Sequence, residues 1–222
     1  MDKIAAFNWS GGKDSTLALH YLLITKEYKI KYLVTTVNEA YNRIAMHGVR
    51  EALLVMQADL LKIPLYQIRL PEMPDMETYE KAMDLHFKIL KRRRVEYAIF
   101  GDIFLEDLRK YREQQFTKIG IKTVFPLWKR ESRELVNEFI VLGYKTIVVC
   151  ARADLKDLCG RVIDQSFIDN LPEGVDPCGE NGEFHTFVFD GPIFTKAIAF
   201  TIGELVFRDP GFWYVDLIPL ER

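Results

Sequence analysis

The chain has 222 residues, a formal net charge of −2, 49% hydrophobic residues and 28% charged residues. This length holds one large domain or two small ones, and the composition is typical of an ordinary globular protein. The balanced charge argues against a general nucleic-acid binder. The N-terminus shows no signal peptide and no apolar run reaches about 18 residues, which predicts a cytoplasmic protein that does not bind membranes.

The first predicted elements enclose a phosphate-binding turn. The apolar run Ile4–Phe7 predicts a strand, and helical spacing begins directly after the turn. Paired glycines let backbone N–H groups approach an anion, a helix N-terminus adds its dipole, and lysine and serine supply further donors. The predicted phosphate-binding residues are Ser10, Gly11, Gly12, Lys13, Asp14 and Ser15.

Spacing excludes the two commonest phosphate loops. A Walker loop needs a glycine five positions before Gly12, where this chain has Phe7, and no Gly-x-Gly-x-x-Gly occurs. A turn in which Asp14 or Ser15 merely caps the helix remains the alternative. The Ser-Gly-Gly-x-Asp-Ser pattern resembles the PP-loop of the N-type ATP pyrophosphatases. That resemblance implies ATP as a co-substrate, cleaved between its α and β phosphates, with pyrophosphate held in this loop.

Strand and helix patterns alternate over the first part of the chain. Five apolar runs predict strands at 3–9, 32–37, 65–70, 97–101 and 123–127, and amphipathic stretches predict helices at 14–26, 47–62, 75–94 and 105–119. Such alternation indicates an α/β fold with a five-stranded parallel sheet and helices on both faces. The resemblance implies the PP-loop type of this fold. Ligands of such sheets bind beyond the carboxyl ends of the strands.

The segments after the strands contain the next candidates. The backbone at Thr36 and Val37 is predicted to contact adenine, as in the PP-loop family. His47, placed at a predicted helix start, either caps and packs or contacts ATP. Gly101 permits close approach of a nucleotide, and Asp102 is a predicted magnesium or substrate contact. The candidate magnesium ligands are Asp14 and Asp102.

Charged residues on the fourth predicted helix have two interpretations. Glu106 and Arg109 lie on one helical face, where they either form surface ion pairs or bind substrate. The basic cluster 91–94 ends a predicted helix, where positive charge complements the helix dipole. A solvated helix end is therefore favoured over an RNA-binding patch for that cluster.

The pattern changes after residue 129, which predicts a domain boundary with residues 1–129 in a nucleotide-binding domain and 130–222 in a smaller α+β domain. A helix is predicted at 131–142, a strand at 145–151, and a hairpin from 196–207 and 213–220. The polar block 175–187 is predicted to be a shaped loop because it contains proline and several glycines. Cys150, Cys159 and Cys178 show no metal or disulfide spacing.

A second motif restricts the resemblance to one family. It is the block Glu180-Asn181-Gly182-Glu183-Phe184-His185-Thr186. It is similar to the Glu-Gly-Gly-Glu-Phe/Tyr-Glu-Thr motif of the diphthine–ammonia ligase family, whose members join such a domain to a PP-loop domain. The resemblance covers essentially the whole chain, and Gly101-Asp102-Ile103 occurs in the expected order. Asn181 replaces a glycine and His185 replaces an acid, as in the bacterial branch, so the acceptor stays open.

The resemblance implies an AMP-forming amide ligase that uses ATP and magnesium. The substrates implied are a small-molecule or protein-borne carboxylate and ammonia or an amine, and a homodimer is compatible with the sequence. Lys13 and Asp14 are predicted to act in catalysis, and Glu183 or His185 to accept a proton. The predicted acceptor side consists of Glu106, Arg109, Glu180, Asn181, Gly182, Glu183 and Thr186.

Two other functions compete with the ligase. An RNA-modifying PP-loop enzyme would need a basic groove and a reactive Cys159 or Cys178. A non-catalytic sensor would bind ATP without turnover, whereas the density of acids and histidine in 180–186 favours chemistry.

Overall fold

A computed structural model describes residues 2–45 and 47–220. The first half of the chain forms a helix-covered sheet. Its elements are β1 (Ile4–Asn8), α1 (Lys13–Thr25), β2 (Lys29–Asn38), β3 (Arg43–Ile44), α2 (Glu51–Leu61), β4 (Leu65–Leu70), α3 (Met76–Arg92), β5 (Tyr97–Ile99), α4 (Glu106–Lys118) and β6 (Lys122–Val124).

The sheet contains five parallel strands in the order β4-β2-β1-β5-β6. β3 adds two residues that pair antiparallel with the end of β2. The central strand β1 alternates between the two faces: Ala5 and Phe7 pack in the core with α1 and α2, whereas Ala6 packs with α3 and α4. Both faces of the sheet are therefore covered, which confirms the predicted α/β class.

The second half forms a smaller antiparallel sheet. Its elements are α5 (Ser132–Val141), β7 (Lys145–Arg152), a 3-10 helix (Ala153–Leu158), α6 (Gln165–Asp169), β8 (Phe184–Asp190), β9 (Phe200–Arg208) and β10 (Phe212–Pro219). The strand order is β8-β7-β10-β9. Phe139 and Phe187 pack in the same buried cluster as Leu19 and Leu54 of α1 and α2. One hydrophobic core thus joins the halves, while the boundary at residue 129 stays a prediction.

Three predicted elements are corrected by the structure. The second helix begins at Glu51 instead of His47, because Gly48 has a φ of +68° and Arg50 is extended. Residues 184–187, predicted as loop, belong to β8, which pairs with β7. The first strand of the hairpin begins at Phe200 instead of residue 196. Over the described residues, the structure contains no helix that is long and apolar enough to cross a membrane.

Candidate active site

A cavity of about 1460 Å³ lies at the carboxyl ends of the parallel strands. Asn8 and Thr36 line it from the ends of β1 and β2, and Gly101 lines it from the segment after β5. The second half contributes residues 178–182 and 184–186 to the lining of this cavity. Both halves of the chain therefore build one site, at the place where α/β sheets bind ligands.

Most residues predicted from the sequence meet at this cavity. Those that line it are Ser10, Lys13, Asp14, Ser15, Thr36, His47, Gly101, Asp102, Glu180, Asn181, Gly182, His185 and Thr186. Residues far apart in sequence, such as Ser15 and Glu180, thus line the same cavity. Their individual roles stay predictions.

The glycine pair of the phosphate loop packs inward instead of lining the cavity. Gly11 has a φ of +78°, and a Cβ at this position would lie 2.7 Å from Gln57 Oε1. A Cβ on Gly12 would lie 3.1 Å from both His47 Cε1 and the Thr186 carbonyl oxygen. The absence of a Cβ on these glycines therefore lets the loop pack closely against protein atoms of α2, of the turn before α2 and of β8.

Lys13 is the central positive charge of the loop and is only 3% exposed. Its Nζ lies 2.7 Å from Asp14 Oδ2 and also donates to the Cys178 carbonyl oxygen. Burial opposes the charged form, but the neighbouring charges, led by Asp14, outweigh burial and raise the pKa of Lys13 to about 12. Lys13 is therefore an ammonium ion at every physiological pH.

Strand β8 of the second half lies directly against the phosphate loop. The Lys13 backbone N–H donates to Thr186 Oγ1 at 3.0 Å, and the Val188 N–H donates to the Gly11 carbonyl oxygen at 2.9 Å. These contacts explain how residues of the second half come to line a site at the first sheet. The Thr186 hydroxyl occupies one of the backbone donors that a phosphate would use.

Gln57 was missed by sequence reasoning and connects the two halves. Its side chain is fully buried, its Oε1 accepts from Trp9 Nε1 at 2.9 Å, and its Nε2 donates to the carbonyl oxygens of Gly11 (3.1 Å) and Val188 (2.7 Å). A signal was present, because Gln57 stands at helical spacing after the apolar pair Leu53 and Leu54. A polar side chain on an otherwise apolar face indicates a buried polar network.

Hydrogen bonds order the segment 176–183. Asp176 Oδ1 accepts from the backbone N–H groups of Cys178 and Glu180 at 2.9 and 3.1 Å. Glu180 Oε1 accepts from the Ile103 N–H at 2.8 Å, which ties this segment to the end of β5. Burial, reinforced by the charge of Asp14, raises the pKa of Glu180 to about 7. The cavity thus contains a carboxyl group that changes charge near neutral pH.

Glu183 does not line the cavity, in contrast to the sequence prediction. Its side chain is 2% exposed, and Oε1 accepts from the Asp176 N–H at 3.0 Å and from Asn181 Nδ2 at 3.2 Å. This carboxylate orders the segment from inside instead of facing substrate. The structure places Glu183 where it positions this segment, and its catalytic role stays a prediction.

His47 and His185 stack above the phosphate loop. Their ring centroids are 4.6 Å apart with an interplanar angle of 30°, and His47 Nδ1 lies 3.2 Å from the Thr186 carbonyl oxygen. Burial lowers the pKa of His47 to about 4 and that of His185 to about 3, with Lys13 adding to both shifts. Both imidazoles are therefore neutral at pH 7, and burial makes His185 a weak base in this structure.

The histidine pair predicts a pH dependence of stability. Because folding lowers both pKa values, the unfolded chain binds more protons below its ordinary histidine pKa of about 6.5, and the free energy of unfolding falls as the pH drops towards 4. We expect His185→Phe, which keeps a ring against His47, to flatten this fall by about 2 kcal/mol between about pH 7 and pH 5. Urea unfolding at each pH measures it, and equal slopes for both proteins would contradict the shift.

Gly101 and Asp102 connect β5 to the phosphate loop. A Cβ on Gly101 would lie 3.0 Å from the Ser15 backbone nitrogen, so this glycine lets the chain pack against the start of α1. Asp102 Oδ2 lies 2.8 Å from Arg112 Nε, but neither atom has a well-aligned hydrogen bond. Burial raises the pKa of Asp102, and Arg112 opposes this effect.

Three further predicted residues do not reach the cavity. Arg109 lies 2.7 Å from Glu113 in a surface ion pair, and the Glu106 carboxylate faces Lys110 and Lys129. α4 turns a different stripe, which includes Arg112, towards the cavity. The Val37 side chain is fully buried in the core, and the predicted contact of its backbone with adenine stays a prediction. Glu106 and Arg109 thus form surface ion pairs in this structure, and their substrate-binding role stays a prediction.

The cysteines show no features of reactive thiols. Burial raises the pKa of Cys159 to about 11 and raises that of Cys178 further. Cys178 Sγ donates to the Ser132 carbonyl oxygen at 3.3 Å, and Cys159 Sγ lies 3.5 Å from the Trp213 carbonyl oxygen. Since the thiolate is the nucleophile, these pKa values disfavour sulfur chemistry.

The fold and the cavity define an α/β protein in which the turn at 10–15 follows the central strand and the second half of the chain packs against that turn. Residues 2–123 match the family model for the diphthamide synthase N-terminal domain, and residues 131–216 match that for the diphthamide synthase C-terminal domain. The chain belongs to the diphthamide synthase family.

Named relatives agree with this family. The chain is 25% identical to the diphthine–ammonia ligase of Schizosaccharomyces pombe over 91% of this chain and 37% of that protein. It is 27% identical to the human diphthine–ammonia ligase over 75% of this chain and 67% of that protein. The chain therefore spans little more than a third of the yeast relative.

Two solved structures resemble this chain with TM-scores below 0.5. A predicted subunit of tRNA methyltransferase from Methanocaldococcus jannaschii has a TM-score of 0.44 and 17% identity over 88% of this chain and 99% of that chain. The U34-tRNA thiolase NcsA from Methanococcus maripaludis has a TM-score of 0.36 and 21% identity over 64% of this chain and 57% of that chain. Similarity at this level carries no information on activity.

Proposed function

We propose that this protein is an ATP-dependent ligase that adenylates a carboxylate and then forms an amide with ammonia or an amine, releasing pyrophosphate and AMP. The observation that carries the proposal is the shared cavity. Its wall at the first sheet holds Lys13 and the start of α1, which suit a polyphosphate. Glu180, Asn181 and His185 of the second half also line the cavity, and their side chains suit polar substrate atoms.

Charge explains how the first step would proceed. A carboxylate oxygen attacks the α-phosphorus, the bond to the β-phosphate oxygen breaks, and pyrophosphate leaves with additional negative charge. The Lys13 ammonium and the N–H groups at the start of α1 would stabilise that charge. The Lys13 N–H, now bonded to Thr186 Oγ1, would become available to phosphate if that contact opened.

Magnesium fits the same wall. This ion is usually held by one or two carboxylates together with substrate phosphate oxygens, and Asp14 and Asp102 are the carboxylates that would hold it here. When bound, it would neutralise phosphate charge. Across the described ranges no cluster of three histidine, cysteine, aspartate or glutamate side chains is placed to bind a metal by itself.

The second step joins nitrogen to the activated carbonyl carbon. The C–N bond forms, the bond to the AMP oxygen breaks, and the nitrogen loses a proton. His185 faces the cavity and would accept that proton once the negative charge of bound phosphate offsets the burial that lowers its pKa. Glu183 would contribute by ordering the segment that carries Glu180 and Asn181.

The size of the cavity supports a second substrate besides ATP. Sites for a single small ligand commonly have about 300–1,000 Å³, and this cavity has about 1460 Å³. The relatives named diphthine–ammonia ligase suggest ammonia as the nitrogen donor. The acceptor would be a small-molecule or protein-borne carboxylate. The raised pKa values of Cys159 and Cys178 make RNA thiolation the weaker proposal.

Nitrogen incorporation tests this function. We expect the protein, supplied with ATP, magnesium, a metabolite extract and 15N-labelled ammonium chloride, to form AMP and a 15N-labelled amide in equal amounts, as measured by mass spectrometry. Omitting ammonium should stop amide formation. ATP consumption without any labelled amide would contradict the ligase, and ATP binding without turnover would indicate the sensor.

A further inference from the structure

Strand β9 is an open edge of the second sheet. It spans nine residues, Phe200–Arg208, and within the part of the chain that the structure describes it pairs only with β10. Each residue from Glu204 to Arg208 is exposed. Along this edge, backbone N–H and C=O groups face solvent and are available to another strand.

The exposed side chains of this edge are unusually apolar. Ile202 is 57% exposed, Phe207 45%, and Leu205 and Val206 39% each, and the neighbouring Ile218 is also 39% exposed. Lysine and proline, which commonly protect edge strands, are absent from β9, which carries the charges Glu204 and Arg208 and an irregularity at 203–204 in its pairing with β10. A contiguous apolar patch of this kind marks an interaction surface.

We propose that a second copy of this chain pairs with β9 in an antiparallel arrangement centred on Val206. In an antiparallel pair alternate residues point their backbone groups towards the neighbour, so a symmetric pairing must be centred on a residue. Centring on Val206 places Glu204 opposite the partner's Arg208. It also places Leu205 opposite the partner's Phe207.

Charge complementarity selects this register over its neighbours. Centring on Glu204 would oppose two like carboxylates, and centring on Leu205 would place Glu204 against an apolar Val206. Among the described residues, neither Glu204 nor Arg208 takes part in an ion pair within the chain, although Arg208 lies 5.6 Å from the Tyr41 ring centroid. The two-fold axis makes the Glu204 and Arg208 contact twice.

The interface would lie beside the cavity, because Val206 and Arg208 also line its rim. Pairing would join two four-stranded sheets into one continuous sheet and remove the open edge. This inference does not depend on the proposed ligase reaction.

Charge reversal tests the register with the full chain. We expect wild type to be a dimer by sedimentation velocity. Glu204→Arg and Arg208→Glu should each weaken the dimer at least about tenfold, and the double exchange should restore it. Glu173→Arg, an exposed acid outside the strand, is the matched control and should leave the dimer intact. A monomeric wild type, or single exchanges without effect, would overturn the proposal.

Crosslinking supplies a second test, which uses single cysteine substitutions at exposed positions that should affect stability little. The residue on the two-fold axis faces its own copy, so Val206→Cys should form an intermolecular disulfide on mild oxidation, whereas Glu204→Cys should not. Crosslinking at position 204 and none at 206 would reject this register. Loss of ligase activity in these variants would not bear on either result.

Discussion

Replacing Lys13 with methionine is expected to lower the rate of AMP formation by about 100- to 1,000-fold. Lys13 is the buried ammonium of the phosphate loop, and neutral methionine keeps most of the side-chain volume against Phe184. The loss follows because the leaving pyrophosphate would lose its closest positive charge. Initial rates of AMP release from ATP, with the same extract and ammonium for each protein, measure the effect.

Lys81→Ala is the matched control for this experiment. Lys81 is an exposed lysine whose ion pair with Glu77 is 72% and 74% exposed, and its loss should change the rate less than twofold. Lys13→Met leaves the Asp14 carboxylate without its ion-pair partner, which could destabilise the protein. Unfolding curves are therefore needed to establish that the variant is folded. A folded Lys13→Met protein with a wild-type rate would show that the loop does not act on phosphate.

Replacing Gln57 with leucine is expected to destabilise the protein by about 3 kcal/mol. Leucine fits the volume but removes the acceptor for Trp9 Nε1 and the donor to Gly11 and Val188. Each buried polar group left without a partner costs about 1–3 kcal/mol. Because the same contacts hold the phosphate loop against β8, ATP binding should weaken as well. Urea unfolding and calorimetric titration with ATP measure the two effects.

Gln114→Leu is the corresponding control. Gln114 lies exposed on α4, so this exchange should change the free energy of unfolding by less than about 0.5 kcal/mol. If Gln57→Leu were as stable as this control, the buried network would not connect the two halves.

The sequence was most informative where structure is set locally. The phosphate loop could be predicted because strand, glycine pair and helix start adjoin each other along the chain, and the fold brings Ser10–Ser15 to the end of β1 as expected. The five parallel strands could be predicted for the same reason, since each apolar run is bounded by a helical pattern. Asp102 and Glu180 reach the cavity because they follow a strand and an ordered turn.

The features that local sequence patterns did not reveal depend on interactions between distant segments. Glu106 and Arg109 share a helical face, but which face of α4 meets the cavity depends on its packing against β5 and β6. Residues 184–187 read as loop because the preceding glycines dominate the local pattern, whereas their strand forms by pairing with β7 some 40 residues earlier. The inward direction of Glu183 follows from hydrogen bonds within the segment, which residue type alone does not reveal.

The bond of ATP that this protein cleaves distinguishes an AMP-forming ligase from an ATP hydrolase that releases ADP. With [α-32P]ATP and [γ-32P]ATP in parallel reactions containing magnesium, ammonium and extract, the account predicts labelled AMP in the first and labelled pyrophosphate in the second. Equal rates in the two reactions would show cleavage between the α and β phosphates. Labelled ADP in the first reaction and labelled orthophosphate in the second would contradict it.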